Sequence, residues 1–266
     1  AATPKATRII FKRISAFCND NNIPLYNILG KNLFEIYETD SLKIDSKIFS
    51  VCYEDLKKEI LTHDIISFDI FDTLIMRKTL HPQDVFSIVE DRAKKKQIDI
   101  GNFKQVRERA EREILASSPN IYEIYDKLQE LTGVTDLEKK NLLEIEINVE
   151  KQVIIPRERM IDALNYAISL GKRVFLISDM YLPKNILENI LNSLGILKYE
   201  NIFVSCEYHC SKFNGLYETY KKSVQGSSFL HIGDNEEADG ICAQMNNMET
   251  FLIKSAFELL EISRCN

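Results

Sequence analysis

No apolar run in this 266-residue chain exceeds strand length before a charge interrupts it. A membrane-spanning helix needs about 20 consecutive apolar residues, so none is expected. Residues 1–8 lack the apolar core of a secretory signal. The six cysteines (Cys18, Cys52, Cys206, Cys210, Cys242 and Cys265) are scattered, without the dense spacing of a disulfide framework. These absences give the expectation of a cytoplasmic protein with no membrane insertion. Cys206, His209 and Cys210 lie close together, but no second ligand pair of standard spacing accompanies them, and a loop is the better reading than a zinc site. The chain also lacks a long basic run, and its formal net charge of −6 argues against binding a nucleic-acid backbone. An anionic substrate would need local cations. Repeats and low-complexity segments are absent. What remains is an ordinary globular composition, 45% hydrophobic, with enough length for one domain carrying an insertion, or for two.

Four stretches carry chemistry. Ser67-Phe68-Asp69-Ile70-Phe71-Asp72-Thr73-Leu74 follows the apolar pair Ile65-Ile66, which puts Asp69 at the tip of a buried strand. A carboxylate there serves as a nucleophile or a metal ligand; alone, it could also be an ordinary strand-ending turn residue. Val174-Phe175-Leu176-Ile177-Ser178-Asp179 is a second buried strand, ending in a hydroxyl. Lys212 stands in Cys210-Ser211-Lys212-Phe213-Asn214-Gly215, just ahead of an expected helix, with Lys198, Lys221 and Lys222 as nearby alternatives. Phe229-Leu230-His231-Ile232-Gly233-Asp234 is a third strand, whose end delivers Asp234 and, five residues on, Asp239. Asp239 also suits the first turn of a helix, where the macrodipole favours acids. His231 sits within the strand and reads as a packed core residue.

This ordered set resembles the four motifs of the haloacid dehalogenase superfamily of hydrolases, over residues 64–253. The resemblance implies that Asp69 attacks phosphorus and becomes an aspartyl phosphate, splitting one hard hydrolysis into two easier steps. Lys212 would supply fixed positive charge, Ser178 and Thr73 would donate hydroxyls to the phosphoryl oxygens, and main-chain N–H groups after Asp69 would add an anion nest. Magnesium, which favours octahedral oxygen ligands and keeps several waters, would be held by Asp69, the Phe71 carbonyl, Asp234 and Asp239. The substrate expected is a small phosphomonoester. F-D-I-F-D-T-L at 68–74 and S-D-M-Y-L-P at 178–183 resemble a branch found beside, or fused to, glycosyltransferases of surface-polysaccharide pathways, so a glycosyltransferase is an expected associate. The chain departs from the commonest pattern at Phe71, where most phosphatases of the superfamily carry the aspartate that acts as general acid and base. Asp72 is one residue further on, a shift that should aim its carboxylate elsewhere. A metal-independent 2-haloacid dehalogenase-type hydrolase is the alternative, because that branch also has an aromatic here, although it would not need the acidic pair. A weakly active or inactive module binding a phosphorylated ligand or partner is another.

Strands alternating with helices, buried and non-alternating in sequence, predict a Rossmann-like parallel α/β sheet with helices on both faces. The expected organisation is a helical N-terminal extension over 1–63, an α/β core over 64–80 and 157–266, and a helical cap over 81–156. The extension shows apolar rhythms at Ile9, Ile10, Phe11, Ile14 and Phe17, and again at Ile48, Val51, Leu56 and Ile60. Within the cap, apolar stripes predict several helices, one opened by Ser118-Pro119 and one by a capping box at Thr135-x-x-Glu138, the latter ending near Pro156. Strands are expected at 174–177, 202–205, 229–232 and 251–253.

Overall fold

The computed structural model describes residues 53–79, 81–255 and 258. Most of the expected N-terminal extension lies outside the described residues. The chain divides into Lys57–Leu252 and a second unit formed by Ala1–Leu56 with Ile253–Asn266. The sheet, the cap and the candidate site all belong to the first.

Helix α1 (Tyr53–Thr62) leads to strand β1 (Ile65–Phe68), whose four residues are all buried. The same pattern recurs in β4 (Arg173–Ser178), buried after its first residue, in β5 (Asn201–Val204) and in β6 (Phe229–Gly233). Strands covered on both faces cannot alternate polar and apolar residues, which is why they read as continuous apolar runs. With β7 (Glu249–Leu252) they form a five-stranded parallel sheet in the order β5-β4-β1-β6-β7. The connection from β1 leads towards β4, and that from β6 towards β7, so the strand order switches between β1 and β6. Ligands of open α/β sheets bind beyond the carboxyl ends of the strands at such a switch. Asp69 and Asp234 each stand immediately after one of these two strands.

The helices between strands are α6 (Glu158–Ser169), α7 (Lys184–Ser193), the short α8 (Ser205–Tyr208) and α9 (Leu216–Ser223). One core cluster joins Ile65, Phe175, Ile177 and Phe203 from the sheet to Leu216, Tyr217 and Tyr220 of α9. The segment after β6 departs from expectation: residues Glu236–Ile241 form a wide π turn before the short α10 (Cys242–Met245), rather than an α-helix starting at Glu236. π turns are short, frequently functional irregularities, and this one carries Asp239.

The cap is inserted between β2 (Ile75–Arg77) and β3 (Ile154–Pro156), which pair antiparallel and form its two-stranded stalk. It contains α2 (Asp84–Lys95), α3 (Phe103–Ile114), α4 (Ile121–Thr132) and α5 (Asp136–Val153). Thr135 and Glu138 form the expected capping box on α5. Two boundaries differ from the sequence reading. Helix α4 is capped by Asn120, whose side chain accepts from Tyr122 and Glu123 while Glu123 reaches back, and Ser118 lies before it in a left-handed conformation. A reciprocal box satisfies two orphan N–H groups, and this outweighs the Ser-Pro signal. Helix α5 stops at Val153, and Pro156 ends a strand instead, because Ile154 and Ile155 are drawn into pairing with β2.

The cap interior is held by charge as well as by apolar contact. Arg107, wholly buried, donates through Nε and Nη2 to both oxygens of the equally buried Glu146, and Tyr125 donates to the same carboxylate. Arg77 grips Glu150 in the same forked way at 2.9 and 3.0 Å, and Tyr181 donates to Glu150 at 3.1 Å. Planar guanidinium suits such bidentate carboxylate pairs.

Candidate active site

The topology brings Asp69, Lys212, Asp234 and Asp239 into one cluster. Strand β1 ends at Phe68, and the Asp69 N–H donates to the Ile232 carbonyl of β6 at 2.8 Å, which sets its level in the sheet. The Lys212 ammonium donates to Asp69 Oδ1 at 2.5 Å and to Asp239 Oδ1 at 2.6 Å. Asp179, just past β4, accepts the Lys212 N–H through both carboxylate oxygens, at 2.9 and 3.2 Å, and so anchors the loop that delivers the lysine. This geometry singles out Lys212 over Lys198, Lys221 and Lys222.

One carboxylate oxygen each from Asp69, Asp234 and Asp239 lie within 4.8 Å of one another. A cluster of hard, anionic oxygens fits a magnesium ion. Among the described residues no donor reaches the Phe71 carbonyl, which leaves it available as a fourth ligand. Gly233 is required beneath this cluster, since a Cβ there would lie 2.3 Å from Asp239 Cγ and Oδ2.

Electrostatics divide the acids. Burial raises the Asp69 pKa well above its ordinary value, against the pull of Lys212 and with the help of Asp239 and Asp234. Asp234 is pushed up to about 7 by burial, then by the charges of Asp72 and Asp239. Asp239 feels burial too, but Lys212 and then His231 outweigh it and hold its pKa far below the carboxylate range. Burial disfavours the Lys212 charge, yet Asp69 and Asp239 together raise its pKa well above normal. Lys212 bonds to only two of the three acids, and a bound cation would relieve the remaining like-charge repulsion.

Ser178 ends β4 almost completely buried, and among the described residues its hydroxyl has no protein partner. Thr73, expected to face substrate, is fully buried and donates to Asp234 Oδ1 at 3.2 Å, so here it orients a carboxylate. Phe71 places its ring 4.4 Å from the Arg77 guanidinium. Asp72, with a left-handed φ of 56°, offers its carbonyl to Arg157. Its charge is the leading Coulombic influence on Asp234.

Several contacts escaped the sequence reading. Asn235 donates its N–H to Asp239 Oδ2 at 3.0 Å, and its own side chain caps the turn that carries Asp239. His231 is indeed buried, but Nε2 lies 3.1 Å from Asp239 Oδ1 and Nδ1 lies 2.9 Å from Ser67 Oγ. The available signal was a polar residue at the same register position in two adjoining apolar strands, since Ser67 pairs with His231. Beside the cluster, a cavity of about 900 Å³ is lined by residues of cap and core, among them Arg77, Phe86, Asp179, Tyr181, Ser211 and Phe213.

No family model and no curated protein sequence matches this chain. Solved structures do. A HAD-family enzyme from Bacteroides thetaiotaomicron aligns at a TM-score of 0.52 and 12% identity, covering 73% of this chain and 95% of the other. The chain has the haloacid dehalogenase fold. The same Bacteroides enzyme in complex with magnesium and inorganic phosphate aligns at a TM-score of 0.50 and 13% identity, covering 73% and 96%. A HAD phosphatase from Thermococcus onnurineus aligns at a TM-score of 0.47 and 17% identity, covering 71% and 85%. In this chain the carboxyl edge of the haloacid dehalogenase sheet carries the whole acidic cluster.

Proposed function

We propose that the chain is a magnesium-dependent hydrolase of small phosphomonoesters, acting through an aspartyl phosphate on Asp69. The observation that supports this reading most is the convergence of Asp69, Asp234 and Asp239 within 4.8 Å, with the Lys212 ammonium bonded to two of them. Asp69 would attack phosphorus through a carboxylate oxygen as the bond to the leaving oxygen breaks. Water then attacks the same phosphorus, the bond to Asp69 breaks, and phosphate leaves. Lys212 engages Oδ1 only, so Oδ2 is open for attack. Lys212 and the Ser178 hydroxyl would take up the charge spread over the phosphoryl oxygens. Magnesium, held by Asp69, Asp234, Asp239 and the Phe71 carbonyl, would supply further charge neutralisation when bound. The cavity over Asp179 would receive the leaving group. A metal-independent dehalogenase gives no reason for three clustered carboxylates. No helix among the described residues is long and apolar enough to cross a membrane. A cytoplasmic location and an associated glycosyltransferase rest on sequence absences and motif resemblance alone.

The test is a panel of phosphorylated metabolites and aryl phosphates, assayed with magnesium and with chelator. Asp69→Asn is nearly isosteric and should keep the fold while abolishing turnover and borohydride trapping of the acyl phosphate. Wild-type turnover by Asp69→Asn on a verified substrate would refute the covalent route. Halide release that chelator leaves untouched would favour the dehalogenase.

A further inference from the structure

The face of the sheet that carries Asp69 also carries a chain of buried polar contacts that the proposed hydrolysis does not use. Ser67 in β1 and Asp69 just past its end are two residues apart and so share a face, as do His231 and Gly233 at the end of β6. Ser67 and His231 are register partners. Gly233, lacking a side chain, leaves the gap that Asp239 fills, its Cγ only 2.3 Å from where a Cβ would stand. The result is a continuous path: Ser67 Oγ to His231 Nδ1 at 2.9 Å, His231 Nε2 to Asp239 Oδ1 at 3.1 Å, Asp239 Oδ1 to Lys212 Nζ at 2.6 Å, and Lys212 Nζ to Asp69 Oδ1 at 2.5 Å. Ser67, His231 and Asp239 are each at most 1% exposed, so no water is expected to replace a lost partner.

We propose that Ser67 and His231 are positioning residues: Ser67 fixes the imidazole tautomer, and His231 aims its Nε2–H at Asp239 so that Asp239 holds Lys212 against Asp69. The inference rests on the hydrolase reading for its kinetic consequence, but not for its geometry. An ionised carboxylate only accepts, so Nε2 must carry a hydrogen. In the neutral ring Nδ1 is then an acceptor, and the Ser67 hydroxyl is the donor within reach. Of the hydroxyl's other neighbours, the Leu230 carbonyl lies further away at 3.3 Å, and the buried Tyr220 phenol also faces Ser67. The ring is braced edge-on by Tyr217, centroids 5.2 Å apart, and Tyr217 in turn donates to the Ala238 carbonyl beside Asp239. Asp239 therefore receives Lys212 and His231 on Oδ1, where the Tyr217 hydroxyl also donates at 3.5 Å, and the Asn235 N–H on Oδ2. Removing His231 leaves Oδ1 with Lys212 and the longer contact of the Tyr217 hydroxyl at 3.5 Å. The carboxylate is then held by fewer donors at Oδ1, and the ammonium's place between two acids is less firmly fixed.

The experiment compares Ser67→Ala, His231→Leu and His231→Gln with wild type in metal-free and magnesium-loaded protein. Gln is the conservative variant, because its amide can place an N–H near the position of Nε2. The first readout is the nitrogen-15 spectrum of the histidine rings, where a neutral Nε2–H tautomer for His231 is expected, lost or mixed in Ser67→Ala. The second is magnesium affinity by calorimetry, expected to fall about tenfold in His231→Leu and to recover in His231→Gln, as for partners of metal ligands generally. The third is p-nitrophenyl phosphate turnover, with kcat falling about 10- to 100-fold in His231→Leu at nearly constant KM, and largely rescued by Gln. A doubly protonated ring or an Nδ1–H tautomer would overturn the proposal. So would equal losses in Leu and Gln that merely follow thermal stability. If wild type hydrolyses no phosphate ester, the proposed function fails, while the ring spectrum and the magnesium titration still decide this inference.

Discussion

Gly233→Ala tests whether the placement of Asp239 governs the site. A methyl carbon added there would stand 2.3 Å from Asp239 Cγ and Oδ2 and 2.5 Å from its Cβ. Ordinary carbon contacts begin near ~3.5 Å, so the two groups must separate by about 1 Å. The glycine lies at the end of β6, where sheet pairing resists movement, so Asp239 and its π turn must give way. A displacement of about 1 Å exceeds the slack of bonds at 2.6 Å to Lys212 and 3.1 Å to His231, and both should break or lengthen. Overpacking of this kind costs about 1–3 kcal/mol in stability, and a 1 Å misplacement about a hundredfold in rate. The variant should therefore fold, melt a few degrees lower, bind magnesium more weakly and turn over about a hundredfold more slowly. Thermal denaturation, calorimetric magnesium titration and steady-state kinetics on one protein preparation measure all three. A folded Gly233→Ala with wild-type magnesium affinity and turnover would show that Asp239 is not held where the chemistry needs it.

Asp234 stands near 7 in the metal-free fold against a reference of 3.8, so the folded protein keeps a proton there between about pH 4 and 7 that the unfolded chain has released. That contribution favours the fold on the acid side and is lost as pH rises through the window. Because a ligating carboxylate must be ionised, magnesium binding at pH 6 should release protons, that of Asp234 among them, and fewer at pH 8.5; calorimetry in two buffers of different ionisation heat would expose an absence of release. Phe71→Asp should raise turnover on poor leaving groups selectively, because a positioned general acid is worth about 10²–10⁴-fold, and equal rates across substrates graded by leaving-group pKa would contradict this. Glu146→Leu strands the buried Arg107 with only the partly exposed Glu111, and should cost about 3–5 kcal/mol in chemical denaturation, where a loss below about 1 kcal/mol would refute a structural role for the pair.

The parallel sheet was legible because strands buried on both faces leave long apolar runs, and Val174 to Ile177 or Phe229 to Ile232 can hardly be read otherwise. The positions of Asp69, Ser178 and Asp234 followed from where those runs stop. Residues that act through one another were harder. Nothing local distinguishes His231 from a packed histidine, since its role depends on Ser67, 164 residues away in sequence but beside it in the sheet. Thr73 was expected to meet substrate, yet its hydroxyl is committed to Asp234, across 161 residues. The π turn also escaped, because its acids suit an ordinary first helical turn. In the cap, Asn120 was hidden by the Ser-Pro signal two residues earlier, and the buried arginine–glutamate pairs join residues 39 and 73 apart, which no local pattern links.

The departure at Phe71 belongs to a larger arrangement. Its ring supports the Arg77 guanidinium at 4.4 Å, Arg77 is locked to Glu150, and Glu150 also accepts from Tyr181. Arg77 lies on β2, the strand that enters the cap, and Glu150 lies near the end of α5, which leaves it. The residue two positions past Asp69 thus belongs to a stack that ties the acidic cluster to the cap stalk. Replacing Phe71 alone removes the surface on which Arg77 rests, so part of any gain from a new acid is offset by a loosened guanidinium. Asp72 is the acid nearest in sequence, its left-handed backbone fixed by Arg157 and its charge coupled to Asp234. If Asp72 donates the proton, Asp72→Asn should slow alkyl phosphates far more than aryl phosphates, whose leaving groups depart unaided. Equal slowing of both would instead place Asp72 with the metal cluster. In that case either a donor other than Asp72 supplies the proton, or the proposed hydrolysis acts on a leaving group that needs no acid, such as an acyl or aryl phosphate.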